Sequence, residues 1–227
     1  MILKENKKLK GDIMKLLFIG NSHTYYNALP EIVQQFFAAV GQKVHITMLA
    51  VGGKNLAYHA ASHNALFNIR YGGYDAVIAQ DKATGFEAVG FREGAKLLKE
   101  MADNAGSAFY LYMPWAGRDN RAQQNDMTDV YQSFCRANGC FFAPTGEVFG
   151  RLLLSQPAEL LYREDGNHAT PFGSYVAAAT IFYTVTGRKR ILKVGEIEDP
   201  GVKMGFPPEL CQLVHTEACR TMRLFNG

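Results

Sequence analysis

Two short stretches of the sequence carry side chains that could do chemistry together. Asp165 and His168 lie three residues apart in a glycine-containing segment that precedes an apolar helical pattern. A carboxylate at this spacing can orient an imidazole and stabilise the imidazolium that forms when the ring takes a proton. Such a ring can activate a serine, whose hydroxyl is a poor nucleophile at its own pKa. Taken alone, the pair fits a capping aspartate and a surface histidine equally well.

The serine that could use this pair is Ser22. It follows the apolar run Leu-Leu-Phe-Ile at 16–19 and the dipeptide Gly20-Asn21. A short apolar run bounded by turn residues predicts a buried strand, and Gly20 would allow backbone angles that other residues avoid. Ser22 is therefore expected at the carboxyl end of a strand, where open α/β sheets bind ligands. A serine in this position is either a helix cap or a nucleophile.

The rest of the chain alternates short apolar strands with helical periodicity, and no repeat or low-complexity segment interrupts it. Strands are predicted at 16–20, 44–50, 75–80, 108–113 and 140–143, and helices at 25–40, 56–70, 87–104, 120–138, 146–154, 175–185 and 209–224. This alternation favours a parallel sheet covered by helices on both faces. We therefore predict a three-layer α/β/α fold with a flavodoxin-like, five-stranded parallel sheet.

The composition predicts one globular domain. The chain has 227 residues, of which 48% are hydrophobic and 20% are charged, enough for a full core. Residues 14–194 are predicted to form the α/β domain, 1–13 a polar extension with Met14 as an alternative start, and 195–227 an arm and helix packed on the same domain. No apolar run approaches the ~20 residues of a membrane span, and the N-terminus lacks a signal-peptide pattern. We expect a cytoplasmic protein without a membrane partner.

Charge and cysteine content argue against two further classes of protein. The net charge of +3 is too small to indicate nucleic-acid binding, and the basic runs at 7–10 and 188–190 are interpreted as solvated surface rather than as sites for an anionic partner. The four cysteines form neither a CxxC nor a zinc-finger spacing, which favours free thiols in a reducing compartment. The spacing of Cys135 and Cys140 permits a bridge without requiring one.

A metal site is not predicted. His59 and His63 stand at i and i+4 of a predicted helix, a spacing that can place two imidazoles on one face. No glutamate follows His59 as an HExxH motif requires, and no third ligand is evident. We therefore expect neither a metal nor an organic cofactor.

Read together, the two ends of the chain resemble a known family. Gly20-Asn21-Ser22 after a buried strand and Asp165-x-x-His168 before the last core helix resemble the first and last blocks of the SGNH (GDSL-like) hydrolases. The resemblance covers about residues 15–187, and it is nearest to an uncharacterised bacterial branch with a GNS-x-T-Y-Y-N opening. It implies the SGNH hydrolase fold, with Ser22 as nucleophile, His168 as general base and acid, and Asp165 as orienting carboxylate.

The resemblance also implies an oxyanion hole. In the family this hole uses the backbone N–H of the nucleophile, a glycine N–H after the second strand and an asparagine side chain after the third. Ser22 and Gly53 match the first two positions, with Gly52 as the near alternative. The usual Gly-x-Asn-Asp block is absent, and Gln80-Asp81-Lys82 stands in its place. Gln80 is therefore expected to supply the missing amide.

Three further residues are candidates for the substrate pocket. Asn21 replaces the aspartate of the better-known GDS triplet without removing a triad member. His23, next to the nucleophile, either lines the pocket or faces away from it. Trp115, the only tryptophan, follows the fourth strand and either walls the pocket or packs in the core.

These residues predict a serine esterase that acts on a small-molecule ester, with acetyl or carbohydrate esters suggested by the resemblance. Two alternatives remain open. One is an SGNH-like domain with weak catalysis that binds a carbohydrate or acyl ligand. The other is a flavodoxin-like nucleotide binder with a phosphate loop at Gly20–Thr24, since helix N-termini favour anions. The nucleotide-binding interpretation assigns no role to Asp165 and His168.

Overall fold

The computed structural model describes residues 13–227, and its centre is a five-stranded, all-parallel sheet with the strand order β2-β1-β3-β4-β5. The strands are β1 (Met14–Gly20), β2 (Val44–Ala50), β3 (Ala76–Gln80), β4 (Ala108–Met113) and β5 (Phe141–Pro144). The helices are α1 (Ser22–Tyr25), α2 (Leu29–Ala39), α3 (Leu56–Ala60), α4 (His63–Tyr71), α5 (Ala88–Asn104), α6 (Gln123–Asn138), α7 (Thr145–Leu152), α8 (Ala158–Leu161), α9 (Pro171–Thr186), α10 (Pro200–Lys203) and α11 (Pro208–Asn226). The predicted α/β fold class and five-stranded parallel sheet are confirmed.

The sheet is buried on both faces, which explains why its strands read as continuous apolar runs. In β1, Leu16 and Phe18 point into one core layer with α2, α9 and α11. Leu17 and Ile19 point into the opposite layer with α3, α5 and α6. This alternation follows from the two-residue period of a strand.

Ser22 lies at the point where the order of the strands in the sheet reverses. β1 lies between β2 and β3: the chain runs from β1 to β2 on one side, then crosses back past β1 to β3 on the other. In such sheets, the crevice at the carboxyl ends of the strands beside this switch point is the usual ligand site. Ser22 begins α1 directly after β1.

The helix predicted at 25–40 is broken near its start, and α2 begins only at Leu29. Asn27 and Ala28 adopt left-handed backbone angles, with φ of 52° and 51°. The amide of Asn27 donates to Ala169 O at 3.0 Å and to Ser174 Oγ at 2.8 Å. Tertiary hydrogen bonds to the start of α9 therefore hold a conformation that the helical periodicity does not indicate.

The single helix predicted at 56–70 is also wrong, because the chain forms α3 and α4 with a break between them. The break separates His59 from His63, and His59 Nε2 lies 2.8 Å from Gly20 O in the core. Among residues 13–227, no group of three or more metal-ligating side chains is arranged to hold a metal ion. The described helices include none that is long and apolar enough to cross a membrane.

All four cysteines are free and buried, and the Sγ atoms of Cys135 and Cys140 are 3.0 Å apart. The predicted N-terminal extension lies outside the described residues apart from Ile13. At the other end, α11 packs against α9 and α7 and contributes Val214, Ala218 and Met222 to the core.

A buried polar network joins this C-terminal segment to α9. Asp199 Oδ2 accepts from His215 Nε2 at 2.7 Å and from the Tyr175 hydroxyl at 3.2 Å, while His215 Nδ1 lies 3.0 Å from the Tyr183 hydroxyl. Burial alone would raise the pKa of Asp199, but the hydrogen bonds, His215 first, outweigh it and lower the pKa. The stability that Asp199 contributes is therefore present above the ordinary pKa of an aspartate and is lost as the pH falls through its folded-state pKa.

We expect Asp199→Asn to lower the free energy of unfolding by about 2–4 kcal/mol, because it removes the charge that satisfies several buried donors. The measurement is urea unfolding at pH 7. The matched control is Asp103→Asn, whose carboxylate is 54% exposed and pairs with Lys99, and which should cost less than about 1 kcal/mol. Equal losses in the two variants would contradict the importance of the network.

Candidate active site

The residues after β1 form the serine turn (residues 20–24). Asn21 caps α1, since its Oδ1 accepts from His23 N at 3.0 Å. The Nδ2 of Asn21 donates to Lys54 O at 2.9 Å in the loop after β2. Asn21 is 2% exposed. Its side chain therefore braces the serine turn, and this burial favours a supporting position over a pocket wall.

Gly20 is required for a reason different from the one the sequence indicates. Its φ is not in the left-handed region. A Cβ added to Gly20 would lie 2.6 Å from Gln80 Oε1 and closer still to Thr24 Oγ1. The glycine therefore permits the close approach of two side chains rather than an unusual backbone angle.

Ser22, His168 and Asp165 form a continuous hydrogen-bonded series. The Nε2 of His168 lies 2.9 Å from Ser22 Oγ, and its Nδ1 lies 2.6 Å from Asp165 Oδ2. The other oxygen of Asp165 accepts from the backbone N–H groups of Asn167 and His168, each at 2.9 Å. The structure thus brings together the three side chains predicted from the two ends of the chain, in the order that a nucleophile, a base and an orienting carboxylate require.

The hydrogen bonds to Asp165 also fix its charge. Burial alone would raise the pKa of Asp165, but donation from the His168 ring and from two backbone N–H groups lowers the pKa to about 2. The carboxylate is therefore ionised throughout the neutral range. An ionised carboxylate at Nδ1 favours the tautomer that leaves Nε2 free to accept the serine proton.

Loops after β3 and β4 hold the histidine loop (residues 163–168) from outside. Trp115 Nε1 donates to Asn167 O at 2.8 Å, and Thr84 Oγ1 donates to Asn167 Oδ1 at 2.6 Å. The backbone N–H of Arg118 donates to Gly166 O at 2.7 Å. Asn167, between the carboxylate and the imidazole, is thus held at both its carbonyl and its side chain. Thr84 and Asn167 are not predicted from the sequence, in which only the position of Asn167 between Asp165 and His168 could indicate a role.

Trp115 is 1% exposed and stacks on Phe149, with ring centroids 4.3 Å apart and nearly parallel planes. This burial leaves little of the indole available to contact a substrate. Of the two predicted alternatives, the contacts favour core packing, to which the structure adds the hydrogen bond to Asn167.

His23 lies between Trp115 and His168, with ring centroids 5.0 Å and 5.4 Å away. The side chain is 6% exposed, which again favours a supporting position over a pocket wall. Burial, with the adjacent His168 as a second cause, lowers the pKa of His23 to about 4. His23 therefore stays neutral at pH 7 and adds no positive charge beside the His168 ring.

Gln80 does not take the orientation predicted for an oxyanion donor. Its Oε1 accepts from Asn21 N at 3.0 Å and from Thr24 Oγ1 at 2.8 Å, and its Nε2 contacts the carbonyl of Asp81. Because the backbone N–H group of Asn21 can only donate, the Gln80 atom that faces it must be the oxygen. The side chain is fully buried. Gln80 supports the serine turn through its oxygen, and its Nε2 donates to the carbonyl of Asp81.

The remaining predicted oxyanion groups are backbone N–H groups at the edge of the site. Within the described part of the chain, no acceptor is found for the N–H groups of Ser22, Gly52 or Gly53. Gly53 has a φ of 70°, a conformation that favours glycine, and a tight turn closes from Lys54 N to Val51 O at 3.1 Å. Free N–H groups beside a nucleophile are the donors that an oxyanion hole uses.

Asp81 lies beneath this edge and is 2% exposed. Its Oδ1 accepts from Lys82 N at 2.7 Å and from Leu56 N at 3.1 Å, so it joins the loop after β3 to the start of α3. Burial raises the pKa of Asp81 to about 6 despite these hydrogen bonds.

Comparison with solved structures shows which proteins have a fold similar to that of this chain. The chain matches a protein from Slackia heliotrinireducens, described as a candidate SGNH hydrolase, over 74% of this chain and 96% of that one, at 23% identity and a TM-score of 0.60. The acetylxylan esterase Axe2 from Geobacillus stearothermophilus matches 77% of this chain and 94% of its own, at 15% identity and a TM-score of 0.63. The chain has the fold of the SGNH hydrolases.

The chain also matches TesA, over 73% of this chain and 94% of that one, at 14% identity and a TM-score of 0.60. No protein-family model matches the sequence, and no curated protein does. The similarity therefore lies in the three-dimensional fold.

We expect Trp115→Phe to lower kcat about tenfold or more with a smaller change in KM, because the variant frees the carbonyl of Asn167 beside His168. The same direction is expected for Thr84→Val, which removes the second hydrogen bond to Asn167. The measurement is steady-state ester hydrolysis. Tyr110→Phe is the control, since it removes a buried hydroxyl 3.5 Å from Val185 O, away from the site. An unchanged kcat in both Asn167-contacting variants would show that the histidine loop does not need these contacts.

His23 should titrate with a midpoint near pH 4, because burial and the adjacent His168 disfavour its charged form. The measurement is an NMR titration of the imidazole nitrogens, assigned by comparison with His23→Gln. A midpoint between 6 and 7, about the value of an exposed histidine, would contradict the inferred neutrality.

Proposed function

We propose that the protein is a serine hydrolase that cleaves esters of small acyl groups through Ser22, His168 and Asp165. The observation that carries this proposal is the continuous series from Ser22 Oγ through the His168 ring to Asp165, with contacts of 2.9 and 2.6 Å. Its place at the carboxyl end of β1 in an SGNH fold supports the same conclusion. The nucleotide-binding alternative does not explain why these three side chains meet.

In the first half of the proposed reaction, Ser22 Oγ attacks the ester carbonyl carbon while its proton moves to His168 Nε2. Asp165 stabilises the imidazolium that results. The negative charge develops on the former carbonyl oxygen, and the N–H groups of Ser22 and Gly53 are the proposed donors to it, with Gly52 as the alternative. The carbon–oxygen bond to the alcohol then breaks, and His168 returns the proton to the departing oxygen.

The second half repeats this chemistry with water. His168 takes a proton from a water molecule as the water attacks the acyl group on Ser22. The intermediate collapses, the acid leaves, and Ser22 regains its proton from His168. Besides the ester and water, each step uses only side chains and backbone groups of this chain, so the proposed mechanism requires neither a metal nor an organic cofactor.

We further propose that acetyl or other short acyl esters of carbohydrates are the substrates. The similar structures include an acetylxylan esterase. In this chain Met113, the last residue of β4, and Trp115, just after it, are 0% and 1% exposed and leave little apolar surface for a long acyl chain.

A second candidate function is a weakly catalytic domain that holds a carbohydrate or acyl ligand. The orientation of Gln80 is the observation that favours it, because the side chain expected to complete the oxyanion hole faces the serine turn and Asp81. One missing oxyanion donor typically costs about 3 kcal/mol, or roughly a hundredfold in rate. The triad geometry favours the hydrolase, and a slow hydrolase is compatible with both observations.

Ser22→Ala should abolish hydrolysis of 4-nitrophenyl acetate, and Asp165→Asn should lower kcat by about 10³–10⁴-fold, since the amide no longer favours the reactive His168 tautomer. The measurement is initial rate with purified protein, with labelling by a fluorophosphonate as a second readout. Ser133→Ala, an exposed serine on α6, is the control and should keep full activity. Equal rates in the wild type and Ser22→Ala would defeat the proposal, and binding of a glycan without labelling would favour the second candidate.

A further inference from the structure

Beside Ser22, on the β2 side of the site, the protein presents aromatic and cationic side chains that the proposed reaction does not use. This tyrosine surface consists of Tyr25, Tyr26, Tyr58, Lys54 and Arg163. Tyr25 is 38% and Tyr58 is 44% exposed, and both cations are exposed. Exposed aromatic side chains that cluster, unlike scattered ones, mark a binding surface.

The tyrosine surface is continuous with the catalytic residues. Tyr26 meets the His168 ring edge-on with centroids 4.4 Å apart, and the rings of Tyr25 and Tyr26 are 5.4 Å apart. Tyr25 also approaches the proposed oxyanion loop, because a Cβ added to Gly52 would lie 3.0 Å from its hydroxyl. A ligand lying on these rings therefore lies within reach of Ser22.

The two cations are held in place without being neutralised. Lys54 Nζ lies 4.9 Å from the centre of the Tyr58 ring, and Arg163 Cζ lies 5.4 Å from that of Tyr26. Such contacts fix a cation while leaving its charge available. In the described part of the chain neither cation forms an ion pair: Glu164 makes none with Arg163, and the Asp165 carboxylate is engaged by His168.

We propose that the tyrosine surface binds the alcohol part of the substrate, and that this part is a sugar ring carrying a carboxylate, as in an acylated uronic acid. Tyrosine rings offer flat apolar faces to the C–H groups of a sugar, and their hydroxyls can hydrogen-bond to sugar hydroxyls. Lys54 and Arg163 supply charge-assisted hydrogen bonds for the carboxylate. This inference rests on the proposed function, since it assigns the substrate class of the same site.

The activity test compares acetylated oligogalacturonate with acetylated xylo-oligosaccharide, which lacks the carboxylate. The wild type should prefer the acidic substrate, and added salt should weaken that preference. Lys54→Gln and Arg163→Gln should each lower the ratio of kcat/KM for the acidic over the neutral substrate by about fivefold, the loss expected for one exposed charge contact. Tyr58→Ala should raise KM for both oligosaccharides.

The chain offers a matched control in Arg70 and Tyr71, another stacked pair, with Arg70 Cζ 5.9 Å from the ring centre of the 68%-exposed Tyr71. This pair ends α4 just before β3 begins, at the amino edge of the sheet and away from Ser22. Arg70→Gln and Tyr71→Ala should leave the preference unchanged. Equal use of the two oligosaccharides by the wild type, or equal effects of control and test variants, would overturn the inference.

A binding measurement separates this inference from the proposed function. In calorimetry, Ser22→Ala should bind trigalacturonate more tightly than xylotriose. The variant that adds Lys54→Gln and Arg163→Gln to Ser22→Ala should bind the two trisaccharides with equal affinity. Binding without any Ser22-dependent hydrolysis in the wild type would defeat the esterase and leave the tyrosine surface standing. Hydrolysis of 4-nitrophenyl acetate without tighter binding of trigalacturonate would support the esterase and overturn the role of the tyrosine surface.

Discussion

The hydrogen bond between Ser22 Oγ and His168 Nε2 joins residues that lie 146 positions apart. It exists because β1 ends beside the loop that precedes α9, so the order of the strands and the packing of α9 on α2 both determine it. Asn27 contributes directly, since its amide ties the segment after Ser22 to the start of α9. The cost of ordering so many residues is met by the two buried core layers rather than by the site itself.

Buried polar groups around the site act mainly on backbone. Gln80 accepts from Asn21 N and Thr24 Oγ1, Trp115 donates to Asn167 O, and Asp81 accepts from Leu56 N. Each of these contacts satisfies a loop group that would otherwise be buried without a partner, which is costly in a core. The segments after β1, β2 and β3 are therefore hydrogen-bonded to one another, and the loop after β4 is bonded to the histidine loop. These contacts support the positions of Ser22, His168 and Asp165.

The groups that hold Ser22 in place differ from the groups proposed to stabilise negative charge on the substrate. The Gln80 oxygen accepts from Asn21 N and Thr24 Oγ1, so the donors proposed for an oxyanion are the backbone N–H groups of Ser22 and Gly53. The lowered pKa of His23 fits the same division, because a neutral ring beside His168 fills space without opposing the imidazolium of the proposed reaction. The exposed cations near the site, Lys54 and Arg163, lie over the rings of Tyr58 and Tyr26 on the tyrosine surface.

Apolar runs and turn residues are local patterns, and they were enough to predict the fold class and the positions of all five strands to within two residues. The grouping of Ser22 with Asp165 and His168 came from the resemblance of the two ends of the chain to the SGNH hydrolases, because neither stretch is specific alone. Tertiary structure alone decided the break between α3 and α4, the left-handed residues 27–28 and the orientation of Gln80. Those features depend on partners distant in the chain, such as Ala169 for Asn27 and Asn21 for Gln80. A side chain's type shows what it can bond to, and only the packed structure shows which partner it finds.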